Sequence, residues 1–281
     1  MQKLLLTGVA FASLVGGPAL AADLARPLER APVAAPFSWT GCYIGGNVAW
    51  IQDNSDYDLS MAGAFLNPAG PFSNPANSAQ LNNAYTSLSS SVAGGMQGGC
   101  SYQLGPGFVI GIEGDFNGSA LRESANSSYG PAGPFAGGGG LLASSHTEVV
   151  TKSLGWFSTL RGRTGFAWEH FLFYATGGWA VARVSSTTDV AFASDQALLA
   201  SNSFSGALSQ TRNGWTVGTG IEWAVVNNWT IRLEWLHLDF GSVSYINACL
   251  APACAGGFAW ATNNVRFRDD AIRIGLNYRF G

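Results

Sequence analysis

Residues 211–240 read TRNGWTVGTGIEWAVVNNWTIRLEWLHLDF, and their side chains alternate twice over. Trp215, Val217, Thr219, Ile221, Trp223 and Val225 share one face, against Thr216, Gly218, Gly220, Glu222 and Ala224 on the other. Across Val226, Asn227 and Asn228 the pattern restarts, with Trp229, Ile231, Leu233 and Trp235 opposed to Thr230, Arg232 and Glu234. A period of two means extended backbone, and a short Asn-bearing connection means a hairpin. The apolar, aromatic-ended face suits lipid, while the small and charged face suits a crowded interior.

The same rhythm runs outward through the chain. Extended segments are predicted at 39–53, 90–103, 108–119, 151–168, 171–185, 211–225 and 229–240, with AIRIGLNYRF closing the chain. The connections run long, short, long, short, long, short, long. A Gly-Pro-Gly turn stands at 105–107 and only Glu169 and His170 separate another pair, whereas the stretches to 88, 120–148, to about 209, and 241–268 are long and polar. An even strand count with loop lengths sorted to the two ends belongs to outer-membrane-type barrels. The predicted fold class is all-β: an eight-stranded antiparallel up-and-down transmembrane β-barrel, with four long extracellular loops and short periplasmic turns.

Composition agrees. Charged residues make up 11% of the chain, against roughly 25% in an ordinary soluble domain. The 37 glycines and 12% aromatic content would make a poor soluble surface. With a net charge of −3 and no basic stripe, nucleic acid is excluded as a partner. The start, MQKLLLTGVAFASLVGGPALA, has an early Lys, an apolar centre and a small-residue ending, so 1–21 reads as a cleaved signal peptide. Residues 22–38, rich in Ala and Pro, read as a flexible periplasmic leader, and 39–281 as the barrel domain. No later apolar run reaches about 18 residues, so any membrane crossing is made by strands.

The strand faces assign roles. Glu113, Asp115, Arg161, Arg163, Glu222, Arg232, Glu234 and Arg273, with Arg279 beside them, are predicted to point inward. The interior of an eight-stranded barrel is just wide enough for side chains to fill it, and buried charges must be paired. An interior ion-pair network is therefore expected. Trp156, Trp168, Trp215, Trp223, Trp229, Trp235, Tyr278 and Phe280 are expected to form aromatic girdles. Trp156 to Trp168 spans about 30 Å along the membrane normal and Trp215 to Trp223 about 20 Å, which brackets the roughly 25 Å band of such barrels.

FSWTGCYIGGNVAW, GIEGDF, LRGRTGFAW, LFYATGGWA, the 214–241 hairpin and the terminal IRIGLNYRF resemble the small outer-membrane β-barrel family of alpha-proteobacterial surface antigens and porin-like proteins. The resemblance covers all eight strands. It implies an outer-membrane location, a surface-antigen role, envelope integrity or diffusion, haem binding in some relatives, and no catalytic residues. Cys42 and Cys100 depart from the aromatics usual there. Both fall toward the short-turn ends of neighbouring strands, where opposed residues approach closely enough for a disulfide, with two free thiols as the alternative. Gly281 also departs from the aromatic ending.

Other chemistry is sparse. Cys249 and Cys254, in CLAPAC, read as a disulfide-closed loop tip in an oxidising compartment, and no His lies near enough to suggest zinc. GGMQGG and AGGGGLL lack the Lys-Ser/Thr of a phosphate loop. His237 has no His-x-Ser neighbour, so no hydrolase site, no metal and no cofactor is expected, haem on His146 or His237 being the minor ligand-binding alternative. The predicted function is a structural, envelope-integrity and surface-antigen barrel, the alternatives being a narrow porin or a ligand-binding barrel. The expected partners are outer-membrane lipid and lipopolysaccharide, with the barrel-assembly machinery during insertion, and the expected state is a monomer.

Overall fold

The computed structural model describes residues 37–62, 83–132, 144–194, 203–249 and 260–280. The signal peptide, the leader up to residue 36, Cys254 and Gly281 lie outside them, as does the side chain of Cys249.

Eight strands follow in order: β1 (Gly41–Ala62), β2 (Asn83–Leu104), β3 (Phe108–Ala132), β4 (Ser144–Trp168), β5 (Phe171–Ser194), β6 (Ser203–Val226), β7 (Trp229–Cys249) and β8 (Trp260–Phe280). Each pairs antiparallel with its chain neighbours, and β1 pairs with β8, closing the barrel. Closure leaves no unpaired edge to face lipid. The short turns use left-handed backbone: Gly105 (φ 66°), Glu169 (φ 52°) and Asn227 (φ 48°) supply it between β2 and β3, β4 and β5, and β6 and β7. Gly and Asn suit that conformation, whereas Glu169 holds it against its own preference.

The strands are longer than the sequence pattern suggests. Parts of the expected long loops, including 54–62, 120–132, 186–194, 241–249 and 260–268, are strand. The alternation that marks a lipid-facing strand ends before the hydrogen-bonded ladder does. Outward residues are apolar over 44–50, 92–104, 108–116, 156–168, 171–179, 215–225, 229–235 and 272–280 except at Ser158, Thr164 and Thr219, as with Val48 and Trp168, each 65% exposed. These segments form the membrane span. Beyond them the outward face turns polar, with Gln52, Asn54, Asp56 and Asp58 on β1, Arg122 on β3, Arg183 on β5, and Arg266, Arg268 and Asp270 on β8. The wall thus continues as a β-sheet above the apolar band, where water satisfies the outward side chains.

The interior is layered. At the short-turn end, Trp39 is fully buried against Val109, Ala167, Leu172, Tyr174 and Ala224, and its backbone N–H donates to Gln103 Oε1 at 3.0 Å. A charged layer follows. Above it lies an apolar layer containing Ile51, Phe157, Leu236, Leu238, Phe240 and Phe267, all at or below 1% exposure.

Candidate functional site: a charged layer across the lumen

Register places acids against arginines. Glu113 stands opposite Arg161 on β3 and β4, Glu222 opposite Arg232 on β6 and β7, and Glu234 opposite Arg273 on β7 and β8. All these side chains point inward because each sits one residue from a lipid-facing one. Adjacent pairing is only part of the arrangement, since the guanidinium groups also reach opposite walls. Arg232 Nη1 on β7 lies 2.5 Å from Glu113 Oε2 on β3. Arg161 Nη1 on β4 lies 3.2 Å from Glu234 Oε1 on β7. Arg273 Nη1 on β8 lies 2.9 Å from Asp115 Oδ2 on β3, while its Nε meets Glu234 Oε2. Arg163 on β4 pairs with Glu222 on β6.

Neutral groups complete the set. Tyr43 Oη donates to Glu113 Oε2 (2.5 Å), Tyr174 Oη to Glu234 Oε1 (2.9 Å), Thr159 Oγ1 to Asp115 Oδ2 (2.8 Å) and Thr230 Oγ1 to Glu222 Oε1 (2.6 Å). The Arg163 guanidinium lies 3.7 Å from the Tyr174 ring centroid, an ordinary cation–π stack. Room for that tyrosine comes from Gly220, where a Cβ would sit 2.5 Å from Tyr174 Oη. Arg279, at the short-turn end, donates to the Trp39 carbonyl and lies 3.8 Å from Glu222 Oε1. Each of the four carboxylates therefore meets at least one guanidinium.

The residues expected to form the aromatic girdles face out. Trp223 stacks on Phe171 (centroids 6.1 Å) and Trp229 meets Tyr278 edge-on (5.2 Å) at the short-turn rim, where Trp168 and Phe280 also stand. At the far rim Trp156 stacks on Phe116 (5.7 Å), and Trp215 and Trp235 flank His237. His237 Nδ1 lies 2.9 Å from Asp270 Oδ1, so that nitrogen is already engaged. His146 falls on β4, with its side chain outside the described residues. Cys42 and Cys100 stand directly opposite in register, with Cα atoms 3.9 Å apart, and form a disulfide across β1 and β2. The Cys249–Cys254 pairing falls outside the described residues.

Sequence reasoning missed Trp39, Tyr43 and Tyr174. An aromatic in a strand reads as a lipid anchor, and only parity with Ala49 and Asn47 marks Tyr43 as inward.

A family model described as "Outer membrane protein beta-barrel domain" matches residues 8–280. The 31 kDa outer-membrane immunogenic protein of Brucella melitensis is 32% identical over the whole of both chains. The 22 kDa outer membrane protein of Rhizobium leguminosarum bv. viciae is 30% identical over 47% of this chain and 50% of its own. Among solved structures, the outer membrane protein OprG from Pseudomonas aeruginosa aligns with 86% of this chain and 96% of its own at 12% identity and a TM-score of 0.42. With a family match that spans nearly all of the chain and a relative aligned end to end, the chain belongs to the outer membrane protein β-barrel family and resides in the outer membrane.

Proposed function

We propose that this chain is a sealed, monomeric envelope barrel that reinforces the outer membrane and presents its extended outer wall as a surface antigen. The observation that carries the reading is the wall-to-wall charged layer, in which Arg232 reaches Glu113 and Arg273 reaches Asp115 across the lumen. Ion pairs of this kind are held too tightly to part for a passing solute, because separating one leaves an uncompensated buried charge. The apolar layer above and Trp39 below add two further barriers.

The antigen role is supported by the immunogenic relative and by the polar β-wall that rises above the apolar band. The lipid partner is proposed to be the phosphate-bearing headgroups of lipopolysaccharide. Exposed Arg122 and Arg183 stand on β3 and β5 at the upper aromatic rim, Arg183 directly opposite Trp156 in register. Between them run the hydroxyl pairs Ser124–Thr151 and Ser153–Ser185. During insertion the terminal strand, IRIGLNYRF, is proposed to be the segment read by the barrel-assembly machinery.

The test uses cells with and without the chain. Antiserum raised against the folded barrel should label intact cells, and deletion should raise sensitivity to detergent. Absent labelling would end the antigen role, and unchanged sensitivity would end the envelope role.

A further inference from the structure

A second buried charge cluster lies above the apolar band, and its composition is unlike that of the first. Asp53 on β1, Glu123 on β3 and Asp269 on β8 surround a single cation, Lys152 on β4, and all four are at most 7% exposed. Lys152 Nζ lies 2.5 Å from Asp53 Oδ1 and 3.8 Å from Asp269 Oδ1. Ser55 Oγ donates to the same Asp53 oxygen at 2.5 Å. The opposing residues on the neighbouring strands, Ser89 on β2 and Ser186 on β5, carry no charge. Glu148 stands four residues along β4 from Lys152. Outside the wall, Asp270 is taken by Asn54 (2.6 Å) and His237 (2.9 Å).

Two observations show that this cluster lacks something. Asp53 and Asp269 are direct cross-strand partners on β1 and β8, so two carboxyls face each other across the seam that closes the barrel. Asp53 Oδ2 and both Asp269 oxygens are buried without a hydrogen-bond donor among the described residues. Like charges directly opposite destabilise a ladder, and buried acceptors without donors are costly. Protons placed between the carboxyls remove both faults. The β1–β8 ladder is also interrupted here: pairing runs to Asp53↔Asp269 and resumes at Asp56↔Arg266, while the Arg268 N–H turns to Ser55 Oγ at 3.4 Å.

We infer that Asp53, Glu123 and Asp269 around Lys152 form a proton-binding site whose occupancy locks the upper β1–β8 seam, so that proton loss loosens the extracellular half of the barrel while the membrane span stays closed. Three ionised carboxyls and one ammonium would leave surplus negative charge in a water-poor space, which proton uptake relieves. Burial, with the Asp53 carboxyl alongside, pushes Glu123 up to about 8. Burial also raises Asp269 to about 6, against the opposing pull of Lys152. Both acids thus hold protons in the folded wall that they would release on opening. Seam stability is therefore greatest below the ordinary carboxylate range, falls as pH rises through about 6 and then about 8, and is level beyond.

Hydrogen–deuterium exchange on the full folded chain in nanodiscs tests this, with rates corrected for the intrinsic pH effect. Between about pH 5 and about pH 9, exchange of the upper β1 and β8 peptides should quicken by at least about tenfold, the factor for one pKa unit. The upper β5–β6 ladder, which lacks a facing acid pair, should change far less. Asp269→Asn, which keeps the shape and removes the charge, should abolish the loosening step near pH 6 and leave only the smaller one near pH 8 that belongs to Glu123. Equal seam protection in the unsubstituted protein, equal loosening of the β5–β6 ladder, or an undiminished pH response in Asp269→Asn would each overturn the proposal.

Discussion

Glu234 shows what one residue does here. Its carboxylate takes Arg161, Arg273 and Tyr174 together, so three groups from three strands depend on it. Replacing it with Leu removes a charge but leaves two buried guanidinium groups short of a partner. That loss should destabilise the folded barrel by about 3–5 kcal/mol, read as a lower urea midpoint. An unchanged midpoint would show that the pairs carry no weight. The inward direction of Arg273 and Glu234 was legible in the sequence, because each alternates with Ile or Leu. Which acid each arginine meets was not, since contacts such as Arg232 to Glu113 cross the lumen and depend on the barrel's closed shape. Lys152 was harder still: in TKSLGW nothing in the pattern separates it from a surface lysine.

Among the elements, the short turns and the first strand pair give the clearest tests. Glu169 holds a positive φ of 52° in the β4–β5 turn, and a non-glycine residue there loses about 1–2 kcal/mol. Substitution by Gly should therefore raise the urea midpoint, and a lowered one would mean that the Glu169 side chain contributes more than its backbone loses. The Cys42–Cys100 bridge joins residues 58 apart in sequence. Replacing both cysteines with serine should cost about 2–4 kcal/mol, as cross-links over such loops do. Peptide mapping without reductant should recover the two cysteine peptides as one linked species. The opposition of these cysteines was readable from the short-turn ends of their strands. Strand length was not. In WATNNVRFRDD of β8, Ala261, Val265 and Phe267 turn in while Thr262, Asn264 and Arg266 turn out to water, and neither face looks like one that meets lipid. The lipid-facing period was the signal, and it stops where the lipid stops.

For the whole molecule, the layers act in series. Trp39 closes the short-turn mouth, the charged layer crosses the span, and the apolar layer sits above it with the Lys152 cluster set inside it, Lys152 Nζ lying 4.9 Å from the Phe267 ring centroid. The eight-stranded architecture was legible from loop sorting and strand period, because both follow from having lipid outside and a narrow interior. The stacking of the layers was not, because it depends on strand stagger and closure, which a linear pattern does not carry. In the proposed function the charged layer seals the lumen. Planar-bilayer recording on the refolded protein tests it most directly, with insertion verified by the heat-shifted gel mobility of protein recovered from the same membranes. A membrane that carries the folded barrel should show no resolvable conductance steps. Steady, uniform steps from the unsubstituted protein would contradict it.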